Sequence, residues 1–143
     1  MAGFKPVGSR IGVGTQLETH TVGTVAIHNG DLVKFHTDGT ILVAAGADET
    51  MIGVAVTPND SSGDINVGAD VQVDTTPGLL LVADSSDGAE PVKGITYDFT
   101  GGTGAQAVNV TGGAAGNLLC LESGYKGDAS MGVYLLQESL WKV

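Results

Sequence analysis

The sequence predicts an all-β chain, a single compact antiparallel β-barrel or sandwich of about ten short strands with an extended N-terminal arm. Two observations carry this reading. Glycine and proline together supply 27 of the 143 residues and punctuate almost every segment; the longest stretch free of both, Val133 to Val143, has eleven residues. Interior glycine costs a helix about 1 kcal/mol and proline about 3, so long helices have no place to form. Between the punctuation, runs rich in Val, Ile and Thr recur at turn spacing, as in sandwiches and barrels.

The elements follow in order. Residues 1–20 lack clean alternation and read as an extended arm; residues 21–143 read as the all-β domain. Within Val22 to Ala45, a three-residue loop at Asn29-Gly30-Asp31 sets Ile27 opposite Val33 and Val25 opposite Phe35. A two-residue Asn-Gly turn would set Val25 against Lys34, and a one-residue slip turns a whole face over. Asp38-Gly39 fits a two-residue turn that places Phe35 opposite Leu42. Met51 to Thr57 is a mostly apolar strand, Ile65/Val67 and Val71/Val73 alternate with polar neighbours, and Thr75-Thr-Pro77-Gly78 is a turn. Leu79 to Val82 reads as a strand buried on both faces. Ile95, Tyr97 and Phe99 alternate, Ala105 to Thr111 is a polar-alternating strand, and Asn117 to Glu122 is a core strand. Ser123 to Ser130 is a loop carrying Tyr125, Met131 to Gln137 is a strand, and Glu138 to Val143 is a tail with Trp141.

Charge narrows the function classes. Only 15% of residues are charged and the formal net charge is −10. The six cations are Lys5, Arg10, Lys34, Lys93, Lys126 and Lys142; none falls between Phe35 and Val92, where ten Asp and Glu lie. A nucleic-acid binder needs a basic stripe to neutralise phosphates, so no nucleic-acid partner is expected. The same sign argues against anionic membranes, and no apolar run approaches 18 residues. The acid keeps the chain soluble, or makes a surface that shuns nucleic acid and copies of itself. With no apolar signal segment in Met1 to Arg10, a soluble product made in a cytoplasm is expected.

Candidate chemistry is sparse. His20, His28 and His36 are spaced by eight, but the turns between them keep them from converging, so no metal is expected. Gly12-Val-Gly14 and Gly101-Gly-Thr-Gly104 do not continue as phosphate loops. Asp60 to Asn66 offers oxygens without the spacing of a calcium loop. Cys120, the one cysteine, sits in the apolar run Leu118 to Leu121 and reads as a buried structural thiol. No serine lies in a Gly-x-Ser-x-Gly elbow. Glycan clefts favour aromatic platforms, and aromatics are 5% of the chain; trimeric β enzymes of the dUTPase kind use several arginines, and Arg10 stands alone. The expectation is a non-enzyme without cofactors that works by binding protein surfaces.

Gly23-Thr-Val-Ala, then Asn29-Gly30-Asp31-Leu-Val33, Asp38-Gly39-Thr40 and Met51-Ile-Gly-Val-Ala-Val56 resemble the small capsid decoration, or cement, proteins of tailed phages, over roughly Val22 to Pro77. The resemblance implies a homotrimer on the capsid exterior at local threefold positions, with the major capsid protein as partner and shell stabilisation as function. It also implies an N-terminal arm reaching onto the shell, sometimes adding a strand to a neighbour. On this chain that arm carries Phe4, Lys5, Pro6, Val7 and Arg10, a basic and partly apolar clamp or else a frayed terminus. Trp141, the one tryptophan, is an interface anchor or a cap on the core. The competing reading is a receptor- or carbohydrate-binding β domain of a phage fibre or adhesin.

Overall fold

The computed structural model describes residues 3–45, 51–57, 64–112 and 116–136. The chain is all-β. Among the described residues thirteen strands run in order: β1 (Lys5–Ser9), β2 (Leu17–Thr21), β3 (Ile27–His28), β4 (Leu32–Phe35), β5 (Ile41–Val43), β6 (Gly53–Ala55), β7 (Asp64–Ile65), β8 (Asp70–Asp74), β9 (Leu79–Asp84), β10 (Thr96–Thr100), β11 (Ala107–Asn109), β12 (Leu118–Ser123) and β13 (Met131–Leu136). One short 3-10 turn, Tyr125–Gly127, separates the last two.

All strands pair antiparallel within three sheets. One has six strands in the order β1-β9-β13-β12-β10-β11, one has five in the order β2-β8-β6-β4-β5, and a two-stranded ribbon joins β3 to β7. Each large sheet curls until its far side meets at a single parallel bridge, Ser85 with Val108 in the first and Val22 with Ile41 in the second. One bridge does not close a barrel, so the architecture is a sandwich of two curled sheets.

Two cores result. The larger lies between the sheets. Leu81, Tyr97, Phe99, Leu118, Tyr134 and Leu136 from the six-stranded side meet Leu32 and Val54 from the other, with Phe4 and Met51. The second lies on the opposite face of the five-stranded sheet, where Val33, Ile41, Ile52, Val71 and Val73 pack with Ile27 and Ile65 of the ribbon. Strands β4 and β6 are therefore sandwiched, which is why Met51 to Ala55 is buried without alternation. Gly53 is fixed by proximity: a Cβ there would sit 2.0 Å from the Asp74 carbonyl oxygen, so only glycine lets β8 lie this close to β6.

Two registers differ from expectation. The first hairpin does not form: β3 pairs with β7, Ile27 against Ile65, while β4 pairs with β5 and β6. The turn at Asp31 parts the strands. Its buried carboxylate accepts the His28 N–H through Oδ2 (2.9 Å) and the Gly104 N–H through Oδ1 (2.9 Å), so both oxygens are spent on turning the chain between sheets. In the next hairpin Phe35 faces Ile41 rather than Leu42. Thr37-Asp38-Gly39 makes a three-residue loop closed by the His36 N–H to the Thr40 carbonyl (2.7 Å), with Gly39 left-handed at φ +85°. Asp38 Oδ1 accepts the Thr40 N–H (3.0 Å) and hydroxyl (2.6 Å) and faces His36 Nδ1 (3.0 Å). This register buries Ile41 fully, leaves Leu42 half-buried and puts Phe35 at the surface against His20.

The sheets are also joined by polar bonds. Gln106, fully buried, accepts the Leu32 N–H through Oε1 (2.6 Å) and donates through Nε2 to the Ala44 carbonyl (2.9 Å), while its own carbonyl accepts the Gly3 N–H (2.7 Å). Gln106→Ala would orphan the Leu32 N–H and the Ala44 carbonyl at a cost of roughly 1–3 kcal/mol each; urea unfolding should show the midpoint fall accordingly, and a loss below about 0.5 kcal/mol would contradict this role. The Thr40 hydroxyl, then the Thr40 N–H and His36, hold the Asp38 carboxyl at about 2 rather than 3.8. A carboxyl lowered in the folded state stabilises above its ordinary pKa, and that contribution fades as pH falls toward 2. An NMR titration should find the Asp38 midpoint near 2 and find it raised toward the ordinary value in Thr40→Ala.

Candidate functional site

The N-terminal segment is built into the body, which corrects the expected arm. Residues 5–9 lie along β9 as an edge strand, Lys5 opposite Val82 and Ser9 opposite Leu79. Residues 17–21 do the same for β8, so the described part of residues 1–20 is not a separate unit. The cause is Phe4. Its side chain is 2% exposed and meets Phe99 edge-on, ring centroids 6.2 Å apart, while its N–H donates to the Gly30 carbonyl (2.7 Å). Burying an aromatic ring there secures the strand that follows. Phe4 is therefore a core residue and has no surface to offer a partner.

The other expected contact residues divide as follows. Lys5 and Arg10 are exposed, Pro6 is half-buried and Val7 is 45% exposed. The Arg10 N–H is tied to the Gly78 carbonyl (2.8 Å) at the end of β1. The pairing register shifts between Pro6 and Gly8, so Val7 sits at a bulge. Past β1 the crossover keeps Ile11 (65%) and Val13 (39%) at the surface, and Leu17 (48%) follows at the start of β2. Trp141 lies outside the described residues.

Three clefts border this one strand. The first, about 260 Å³, is walled by Phe4, Lys5 and Pro6 against Asn29, Gly30 and Val56. The second, about 250 Å³, lies between Pro6, Val7, Val13 and the Asp74–Thr76 turn. The third, about 290 Å³, has an apolar floor of Val7, Val82 and Met131 and is ringed by Lys5, Tyr125, Lys126 and Asp128. In the third, two lysines stand against one carboxylate, and Asp128 Oδ1 is already taken by the Ser130 N–H (3.1 Å) and hydroxyl (2.9 Å). Lys126 has a left-handed backbone, φ +52°, uncommon without glycine, and its Nζ lies 5.5 Å from the Tyr125 ring centroid. Two of the chain's six cations thus line one cleft on a molecule of net charge −10. Lys126, Tyr125 and Asp74 are not among the expected contact residues, because nothing near them in the chain says they fold against β1.

The remaining candidates are accounted for locally. Each histidine has its own carboxylate: His20 with Glu18 (2.9 Å), His28 with Asp64 (3.2 Å) and His36 with Asp38 (3.0 Å). Among the described residues no three His, Cys, Asp or Glu are grouped to hold a metal, and no helix is long and apolar enough to cross a membrane. Most of the Asp60 to Asn66 loop lies outside the described residues. Cys120 is fully buried; burial pushes its thiol pKa up, and Sγ donates weakly to the Glu122 carbonyl (3.6 Å). Asp31 is likewise pushed up by burial, against the two N–H groups it accepts.

Phe4→Ala should cost about 3–5 kcal/mol by the size of the cavity it leaves. Lys5→Ala, one residue on, should change stability by no more than about 0.5 kcal/mol. Thermal or urea unfolding of the pair checks the assignment of core and surface, and equal effects would overturn it. Deleting residues 1–10 removes both the ring and an edge strand, so it should destabilise the whole fold.

No protein-family model, curated protein or solved structure matches this chain.

Proposed function

We propose that this chain is a structural protein that binds the outer surface of an assembled phage capsid. It acts as a homotrimer at local threefold positions, with the major capsid protein as its partner, and stabilises the shell without catalysis. The observation that carries the reading is the convergence of three clefts, two lysines and the exposed Val7, Ile11 and Val13 on the N-terminal strand and its crossover. The motif resemblance over Val22 to Pro77 supplies the shell as partner.

The physics favours a multivalent contact. A patch with a few apolar side chains and two ammonium groups binds weakly alone, since exposed ion pairs contribute about 0.2–1 kcal/mol each. Three copies on a threefold axis engage together, and avidity then exceeds single-site affinity by roughly 10²–10⁴. The acidic remainder of the surface keeps free trimers apart in solution.

The mass of the purified chain in solution should be that of a trimer, and mixing it with bare expanded phage heads should give co-sedimentation that saturates at a fixed ratio. The double substitution Lys5→Glu, Lys126→Glu should weaken that binding at least about tenfold, because each loss is repeated in every subunit, while circular dichroism stays unchanged. A monomer that remains in the supernatant would overturn the proposal.

A further inference from the structure

The second cleft holds a buried carboxylate that the proposed shell contact, built on lysines and exposed apolar side chains, does not invoke. Asp74 ends β8 and is only 5% exposed. The Thr76 N–H (3.0 Å) and hydroxyl both bind its Oδ1. Among the described residues Oδ2 receives no hydrogen bond, and Asp74 lines the cleft. With Oδ1 taken, half of the carboxylate's acceptor capacity is open to a cation or to donors.

The walls define the cation. Pro6, Val7 and Val13 give aliphatic surface, Thr15 also lines the cleft, and the Thr76 hydroxyl oxygen sits beside the carboxylate. An unbranched methylene stem lies against the first three, and a terminal ammonium offers three donors to Oδ2 and the Thr76 hydroxyl. A guanidinium prefers both oxygens of a carboxylate side by side, and Oδ1 is occupied. A hard divalent ion wants several oxygen ligands of which this cleft supplies one carboxylate. We propose that the cleft between β1, the β1–β2 crossover and the β8–β9 turn is a socket for a lysine side chain of a partner protein. Charge favours a basic partner, since a lysine carried on a basic surface is drawn toward a molecule of net charge −10. The inference does not rest on the capsid reading.

The test uses the full chain and Nα-acetyl-lysine methylamide, followed by ¹H–¹⁵N correlation spectra. Saturable shifts are expected at the amides of Val13, Thr15 and Thr76, with the arginine analogue and sodium chloride giving none at matched ionic strength. Asp74→Asn keeps an oxygen for both Thr76 donors and replaces the open oxygen with an amide. It should weaken the probe roughly 10–100-fold, the worth of a charge-assisted bond. Val13→Lys, at an exposed position, should tether a competing ammonium at the mouth and weaken the free probe without touching the Thr76 bonds. Shifts that stay linear, match those of the arginine analogue, or persist in Asp74→Asn would overturn the socket. Shifts at the same amides that grow with protein concentration alone and vanish in Asp74→Asn would give the socket to a second copy and overturn the partner assignment.

Discussion

The buried amide of Gln106 is the constraint on which the sandwich depends. Apolar contact between two sheets is strong but indifferent to direction, and sheets held by it alone can slide or rotate. Gln106 reaches from the β10–β11 connection to the backbone of β4 and to Ala44 just past β5, and through its own carbonyl it also fixes the start of the chain at Gly3. Asp31, next to Leu32, repeats the device by joining the β3–β4 turn to Gly104. Four separated parts of the sequence are thereby brought to one point, and the fully satisfied amide sets which strand faces which.

The position of the candidate site follows from this node. Gly3 and Phe4 are pinned at Gln106 and Gly30, so residues 5–9 must leave along the open edge of β9, and residues 10–16 must cross to the other sheet. The crossover is tied to the sheets by Arg10 to Gly78 and by Gln16 to Thr75 and Thr76, and between them the Ile11 and Gly12 N–H groups turn back onto Ser9. Its middle therefore presents Ile11 and Val13 outward. The clefts are the gaps between this strap and the sheets beneath it.

Much of the architecture was legible in the sequence. The strands around Leu79 to Val82, Tyr97 and Phe99, Leu118 to Leu121 and Met131 to Leu136 were visible because apolar runs and turn residues are local signals. Pairing was less visible. Asn29-Gly30-Asp31 has the composition of a hairpin loop, yet its strands part because the Asp31 carboxylate is spent on a residue far along the chain, at Gly104. Asp38-Gly39 was seen as a turn, but the choice between two and three loop residues was made by Thr40, whose hydroxyl the Asp38 carboxylate captures. Of the candidate site, Lys5, Pro6, Val7 and Arg10 were placed at the surface-facing N-terminus. Phe4 was misassigned, since one aromatic among polar and small residues carries no periodicity to show that it faces inward. Tyr125, Lys126 and Asp74 could be found only after the chain had closed on itself.

The bulge at Val7 and the proline beside it govern how a neighbour can meet the β1 edge. Pro6 has no N–H to donate, and the shifted register breaks the even spacing that a further strand would need. An approaching backbone finds no regular ladder on β1, so the six-stranded sheet does not extend readily through this edge. What β1 offers a neighbour is instead the chemistry of its side chains.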